Sequence, residues 1–140
     1  MIYYKRNYCN IYPFLNGNNN SKLNILQGGN TGNLKDVKTS HILPVDLNGL
    51  MYMNYCAVSE FYSLLGDTSK SDIFSKKAIE LKTAIESILW NEEDQIWYDY
   101  DLENDKTRRY FYPSNLFPLW AECYDTKNRD KVAKSAVSVM

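Results

Sequence analysis

An acidic and aromatic stretch, WNEEDQIWYDYDLEND, runs from Trp90 to Asp105 and carries the side chains best suited to chemistry in this sequence. Seven of its sixteen residues are carboxylates, and from Tyr98 to Asp101 they alternate with aromatic rings. Carboxylates in this arrangement can bind a calcium ion, serve as the acid and base of a glycosidase, or form solvated ion pairs across a sheet. The spacing within the stretch tests each of these three chemistries.

A calcium loop fits the spacing only in part. The acids at positions 99, 101, 103 and 105 mimic the alternate ligands of such a loop. However, Asn104 stands where the loop needs glycine for a sharp turn, and Tyr110 stands where it needs a bidentate glutamate. The sequence therefore argues against a calcium site.

A pair of glycosidase carboxylates fits poorly as well. On a strand, Trp97, Asp99 and Asp101 share one face, so the two aspartates can face Arg108 or Arg109 across a hairpin. Two acids on one strand can reach the roughly 5 Å that the closest glycosidase pairs require. They lack the contrasting environments that separate an acid from a base. The residues therefore favour solvated ion pairs.

The elements that must hold these side chains are mainly helices joined by one β-hairpin. Apolar residues recur every three or four positions over residues 47–65 and predict a largely buried helix that ends at Gly66. A second set of apolar residues at helical spacing, over residues 74–88, predicts a half-exposed helix with Ser71 as its N-terminal cap. Two alternating aromatic runs, residues 95–102 and 108–112, predict the hairpin.

Two further helices are predicted after the hairpin. Residues 113–124 begin one at Pro113 or Ser114, and Pro118 tightens or kinks its first turn. Residues 132–140 form a last amphipathic helix. Trp90 and Trp120 end or follow apolar runs and are predicted to lie in the core. The predicted order is inner helix, outer helix, hairpin, inner helix, outer helix.

Length and composition exclude several classes of function. A chain of 140 residues suits one domain, and its formal charge of -1 without a basic stripe argues against a nucleic-acid partner. Cys9, Cys56 and Cys123 match no zinc spacing and are interpreted as ordinary thiols, two of them buried in helices. A single histidine argues against a catalytic triad or a histidine-rich metal site. The sequence shows neither a long apolar span nor an export signal.

Four motifs in order give the chain a resemblance to a known family. KTSHILPVDLNGLMY, LLGD, LWNEEDQIWYDYDL and RRYFYPSNLFPLWAECY together resemble the insect-like trehalases of the inverting glycoside hydrolase family 37. The resemblance implies a mainly α fold, a slice of an (α/α)6 toroid with one short β-hairpin. It covers residues 28–140, the predicted partial trehalase domain. Residues 1–27 are Asn-rich and irregular, and they are interpreted as an artefact of the gene model or the start of a truncated paralogue.

The resemblance also implies an activity. Such enzymes split α,α-trehalose into two glucose molecules without a metal or an organic cofactor, with an aspartic acid as the proton donor and a glutamate as the base. Ungapped counting places the family's acid at Asn18, and the base falls beyond Met140. We therefore expect the chain alone to be inactive. The alternative is a catalytically dead paralogue that acts as a sugar-binding or interaction module.

Substrate cavities of this family lie at the N-terminal ends of the inner helices. That placement makes cavity candidates of Asp46 and Asn48, in PVDLN, and of Tyr112, Ser114 and Asn115, in YPSN. The same residue types also cap helices and bond local backbone. The sequence leaves both roles open.

Overall fold

The computed structural model describes residues 41–138, except for the side chain of Asn128. The segment 1–27, with Asn18, and the last residue, Met140, lie outside the described residues. The described part is mostly helical with a few short strands, as expected for a slice of an (α/α)6 toroid. It divides into two compact units, one of residues 41–43 and 101–106, and a second of residues 44–100 and 107–138.

The first unit is built around a tight turn. Strand β1 (Ile42–Leu43) belongs to a three-stranded sheet in the order β1, β4 (Tyr100–Asp101), β5 (Lys106–Thr107). The buried Asp101 carboxylate accepts hydrogen bonds from the backbone N–H groups of Glu103 and Asn104, both at 3.0 Å, and from the Asn104 side chain at 2.9 Å. Asp101 therefore closes the turn between β4 and β5.

Helix α1 (Val45–Leu64) is the first helix of the second unit. Pro44 precedes it in an extended conformation and provides no side-chain cap, and Gly66 follows it with a φ of 78°. Glycine adopts this left-handed conformation without steric cost, so it ends the helix as predicted. The second half of α1 is more exposed than predicted, because in the described part of the chain the next helix, Thr68–Ala84, covers only one side of it. The exposed apolar residues there are Phe61 and Leu64, and Leu65 directly after the helix is exposed as well.

Helix α2 (Thr68–Ala84) begins three residues before the predicted cap Ser71. Asp67 caps it instead, since its carboxylate accepts from the Lys70 N–H at 3.0 Å. A π-helical turn, Ile85–Leu89, extends the helix. Because a π turn holds more residues than an α turn, Leu89 rather than the predicted Ile88 completes the buried stripe.

Two short hairpin pairings follow α2 where one was predicted. Strand β2 (Trp90–Asn91) pairs antiparallel with β3 (Ile96–Trp97), with Trp90 opposite Trp97 and the two rings 4.7 Å apart. The predicted first strand, residues 95–102, contains β3 and β4, but β4 pairs with β5 inside the predicted turn, and residues 108–112 form no strand. A turn in which the Tyr110 N–H donates to the Arg108 carbonyl at 2.7 Å ends the pairing.

The predicted inner helix at residues 113–124 is shorter and divided. A 3-10 turn (Pro113–Leu116) leads into α3 (Phe117–Trp120), as Pro118 was predicted to tighten this region. Glu122 has a φ of 54°, which ends the helix after one turn. Trp120 is therefore 67% exposed, and its predicted place in the core is wrong.

A last helix, α4 (Arg129–Ser138), follows a 3-10 turn at Thr126–Asn128. It buries Val132 and Ala136, in line with the predicted amphipathic face. The apolar core of the second unit comprises Val45, Ala78, Leu81, Ala84, Ile85, Leu89, Ile96, Trp97, Tyr98, Ala121, Cys123, Tyr124, Val132 and Ala136. In the described residues, no helix combines the length and apolar character that crossing a membrane requires.

The two described cysteines differ sharply in environment. Cys56 lies in α1 but is exposed, and Cys123 is buried after α3, outside any helix, so the predicted pair of buried helical thiols is wrong. Burial raises the pKa of the Cys123 thiol to about 12. At pH 8 the reactive thiolate of Cys123 is therefore scarce.

Alkylation should separate these two thiols. With iodoacetamide at pH 8, we expect Cys123 of the folded chain to react at least ~100-fold more slowly than in urea, since burial disfavours its thiolate. Cys56 should change by only a few-fold. Peptide mass spectrometry of a time course measures both in one digest, with Cys56 as the internal control. Equal labelling of the two cysteines in the folded chain would contradict the burial of Cys123.

Candidate functional site

The five predicted cavity candidates lie at the starts of two elements of the second unit. Asp46 and Asn48 belong to the first turn of α1, and Tyr112, Ser114 and Asn115 lie at or just before the 3-10 turn that leads into α3. Asp46, Tyr112 and Ser114 are half-buried, whereas Asn48 is 7% exposed and Asn115 is 2% exposed. Asp46, Tyr112 and Ser114 are therefore open to solvent, Asn48 keeps a small exposed surface, and Asn115 is almost fully enclosed.

The start of α1 is held by a residue that is distant in sequence. The Val45 N–H donates to Asp99 Oδ1 at 2.8 Å, and Asp99 is only 8% exposed. A carboxylate at this point satisfies an otherwise unpaired helix N–H and interacts favourably with the helix dipole. Asp99, rather than Asp46, therefore caps the inner helix.

Asp46 and Asn48 make local hydrogen bonds beside this cap. Asp46 Oδ1 accepts from the Leu47 N–H at 2.8 Å, and Asn48 Nδ2 donates to the Pro44 carbonyl at 2.7 Å. Both bonds fix side chains in the first turn of α1. Neither bond excludes a further contact to a ligand, since a carboxylate and an amide each have several hydrogen-bonding positions.

Asn115 joins the second helix start to the hairpin. Its Oδ1 accepts from the Tyr112 N–H at 2.7 Å, and the Asn115 N–H donates back to the Tyr112 carbonyl at 2.8 Å. Its Nδ2 donates to the Trp97 carbonyl. Because Asn115 is almost fully buried, its amide holds two backbone groups that have little access to water.

Both helix starts therefore converge on one short segment, Trp97–Asp99. Asp99 binds the start of α1, and the Trp97 carbonyl binds Asn115. The segment is itself fixed by hydrogen bonds from the Tyr98 N–H to the Leu89 carbonyl and from the Arg108 N–H to the Asp99 carbonyl, each at 2.8 Å. We name Trp97–Asp99 the tie segment. From the sequence, Asp99 is predicted to form a solvated ion pair, and its hydrogen bond to the start of α1 is not predicted.

Other carboxylates of the acidic stretch form surface ion pairs. Arg109 binds Asp94 through two hydrogen bonds, at 2.9 and 2.7 Å, and Glu93 through one at 2.9 Å. The Asp94 carboxylate raises the pKa of the Arg109 guanidinium, and the Glu93 carboxylate adds a smaller effect in the same direction. Arg109 therefore forms a solvated pairing with Asp94 and Glu93, not with the predicted partners Asp99 and Asp101, which are buried.

Glu92 lies in a separate surface network. It accepts from the Trp90 indole N–H at 2.7 Å and from Lys131 Nζ at 3.3 Å. The Trp90 hydrogen bond, with those of Gln95 and Lys131, lowers the pKa of the Glu92 carboxyl. Within residues 41–138, no three His, Cys, Asp or Glu side chains lie close enough together to hold a metal ion.

Buried polar groups at and near the site are engaged in hydrogen bonds. The two buried carboxylates of the acidic stretch, Asp99 and Asp101, accept hydrogen bonds from backbone N–H groups. The start of α1 and the 3-10 turn bear amide, carboxylate and hydroxyl groups, and these two elements contact each other. Such groups suit a polar ligand with many hydroxyls.

Comparison with known proteins identifies the family. Residues 18–140 match the sequence profile of the trehalase family. Trehalase from Apis mellifera is 41% identical over 116 residues, which are 83% of this chain and 18% of the relative. Human trehalase is 40% identical over 111 residues (79% and 19%), and the periplasmic trehalase of Salmonella agona is 34% identical over 107 residues (76% and 19%). The chain thus spans about a fifth of the length of these curated relatives. This chain belongs to the trehalase family.

Proposed function

We propose that this chain forms part of the wall of the trehalose cavity of an α,α-trehalase, which hydrolyses trehalose to two glucose molecules with inversion. The observation that carries the proposal is the convergence of two helix starts on the tie segment. Both starts bear candidate residues, and both are held by buried hydrogen bonds. A wall held in this way presents its polar groups in fixed directions, as a specific sugar site requires.

The candidates take two roles in this proposal. Asp46, Asn48, Tyr112 and Ser114 contact sugar hydroxyls, because they lie at the helix starts and combine donors with acceptors. Asn115 supports the wall from within, since it is nearly fully buried and its amide joins Tyr112 to Trp97. The proposed ligand is trehalose, and no metal or organic cofactor takes part in this proposal.

The proposal assigns no catalytic carboxylate to this part of the protein. Inversion needs an acid and a base whose carboxyl groups lie roughly 6.5–9.5 Å apart on opposite sides of the sugar bond. Asn18 occupies the position that the resemblance gives to the acid, and an amide carries no titratable proton. We therefore expect the 140-residue chain on its own not to hydrolyse trehalose.

Trehalose titration of the 15N-labelled chain tests the proposal, with glucose release measured in parallel. We expect no glucose above a blank, and weak binding in the millimolar range, because one wall makes only part of the contacts of a full cavity. Chemical-shift changes should be confined to the starts of α1 and of the 3-10 turn. Cellobiose, which has a different linkage, serves as the control disaccharide.

The possible outcomes separate the alternatives. Micromolar binding without turnover would favour a self-sufficient sugar-binding module, the alternative that the amide at Asn18 suggests. Turnover clearly above the blank would refute the expected inactivity. A titration in which the residues at the two helix starts do not respond to trehalose would contradict the cavity wall.

A further inference from the structure

Hydrogen bonds at both ends of one peptide group join Asp99 to Asn48. The Val45 N–H and the Pro44 carbonyl belong to the same planar amide. The N–H donates to Asp99 Oδ1 at 2.8 Å, and the carbonyl accepts from Asn48 Nδ2 at 2.7 Å. The backbone N–H of Asn48 donates to the same carbonyl at 3.4 Å. The side chains of Asp99 and Asn48 therefore hold opposite ends of one rigid plane.

The planarity of the peptide couples these two side chains. Any rotation that moves the Val45 N–H also moves the Pro44 carbonyl, so an acceptor fixed on one end determines where the other end points. The acceptor here is a carboxylate, and a charge-assisted hydrogen bond is stronger than a neutral one. It also polarises the amide, which makes the Pro44 carbonyl a better acceptor for Asn48.

The position of Asp99 is itself fixed by burial and by backbone hydrogen bonds. It is 8% exposed, and its backbone carbonyl accepts from the Arg108 N–H at 2.8 Å. The preceding residue, Tyr98, is bound to the Leu89 carbonyl at 2.8 Å. Water therefore has little access to replace the Asp99 carboxylate if it is removed.

We propose that Asp99 is a positioning residue of the sugar site, which orients the Asn48 side chain toward a hydroxyl of the bound disaccharide through the Pro44–Val45 peptide. Asp99 acts through Asn48 and does not touch the sugar. The inference rests on the proposed function, because that function makes Asn48 a sugar contact. A simple helix cap would stabilise α1 without any specific effect on Asn48.

The test compares Asp99→Ala with Asp99→Asn by NMR on the 140-residue chain. In Asp99→Ala, hydrogen exchange should accelerate by about tenfold at the Val45 N–H and the Asn48 side-chain amide, since a cap bond is lost. In Asp99→Asn, which keeps an acceptor oxygen, both rates should stay within about threefold of the original. Asp94→Ala, which removes an acid of the preceding hairpin that binds Arg109, is the matched control and should change neither rate.

Trehalose titration of the same variants supplies the second readout. Asp99→Ala should weaken the apparent affinity by about tenfold, with partial rescue in Asp99→Asn. An acceleration confined to Val45 and Asn48, with amides in the middle of α2 unchanged, supports positioning. Equal acceleration at Asn48 and throughout α2, or none at Asn48, overturns it. Hydrogen exchange could change as expected while the unsubstituted chain does not bind trehalose. In that case the coupling of Asp99 to Asn48 is supported and the proposed function is contradicted.

Discussion

Replacement of Asn115 by alanine is expected to lower the free energy of unfolding by about 2–4 kcal/mol. The Asn115 amide accepts from the Tyr112 N–H at 2.7 Å and donates to the Trp97 carbonyl, and it is 2% exposed. Alanine removes both bonds and leaves a donor and an acceptor where water has little access. Each such orphaned group costs about 1–3 kcal/mol, so the two together account for the expected loss.

Urea unfolding of the purified chain, followed by circular dichroism, measures this loss. Asn54→Ala is the matched control, because Asn54 is an exposed residue within α1 and alanine is the better helix former there. It should be neutral or slightly stabilising. Asn115→Asp keeps the acceptor for Tyr112 but loses the donor to Trp97, so it should remain destabilised. A loss below about 0.5 kcal/mol for Asn115→Ala would show that its two bonds are replaced by water.

The helices of the second unit could be predicted because their signals are local. The stripe from Phe74 to Ile85 repeats at helical spacing, and the structure places a helix there. Gly66 ends α1 for a reason visible in the sequence, since glycine tolerates positive φ. The residues that cap the helices were harder to predict, because the sequence has several polar residues near the start of each helix. Asp67 rather than Ser71 caps α2, and nothing local distinguishes the two residues.

The role of Asp99 could not be predicted from its neighbours. Its partner, Val45, lies 54 positions earlier in the chain, so only the tertiary fold brings them together. An aspartate in an alternating aromatic run has the pattern of an exposed strand residue, and this led to the predicted ion pair. The prediction that Trp120 lies in the core was wrong for a related reason. Its helix stops after one turn, and the spacing of the apolar residues does not indicate that end. The start of the element at YPSN could be predicted, because turn residues before a helix act locally.

Helix α1 makes a close approach to α3 at Gly49, where a side chain has no room. A Cβ at this position would lie 2.7 Å from Cδ1 of the Phe117 ring and 3.4 Å from Cε1. The ring also packs edge-on against Trp120, at 5.0 Å between centroids, which limits how far it can move. The contact sets the spacing between the helix that carries Asn48 and the element that follows Asn115.

Gly49→Ala is therefore expected to lower the free energy of unfolding by about 1–2 kcal/mol, even though alanine is the better helix former. A Cβ at 2.7 Å from the ring places the overpacking cost in the upper part of its usual range, at about 2–3 kcal/mol, which outweighs the roughly 1 kcal/mol gained by replacing glycine within a helix. Phe117→Leu should recover much of the loss in the double variant, because a smaller side chain opens the contact. A thermodynamic cycle of the four proteins in urea measures this coupling. If Gly49→Ala instead stabilises the chain by the full propensity gain, α1 and α3 are further apart than the structure places them. The spacing of the two helix starts in the proposed cavity wall is then not set by this contact.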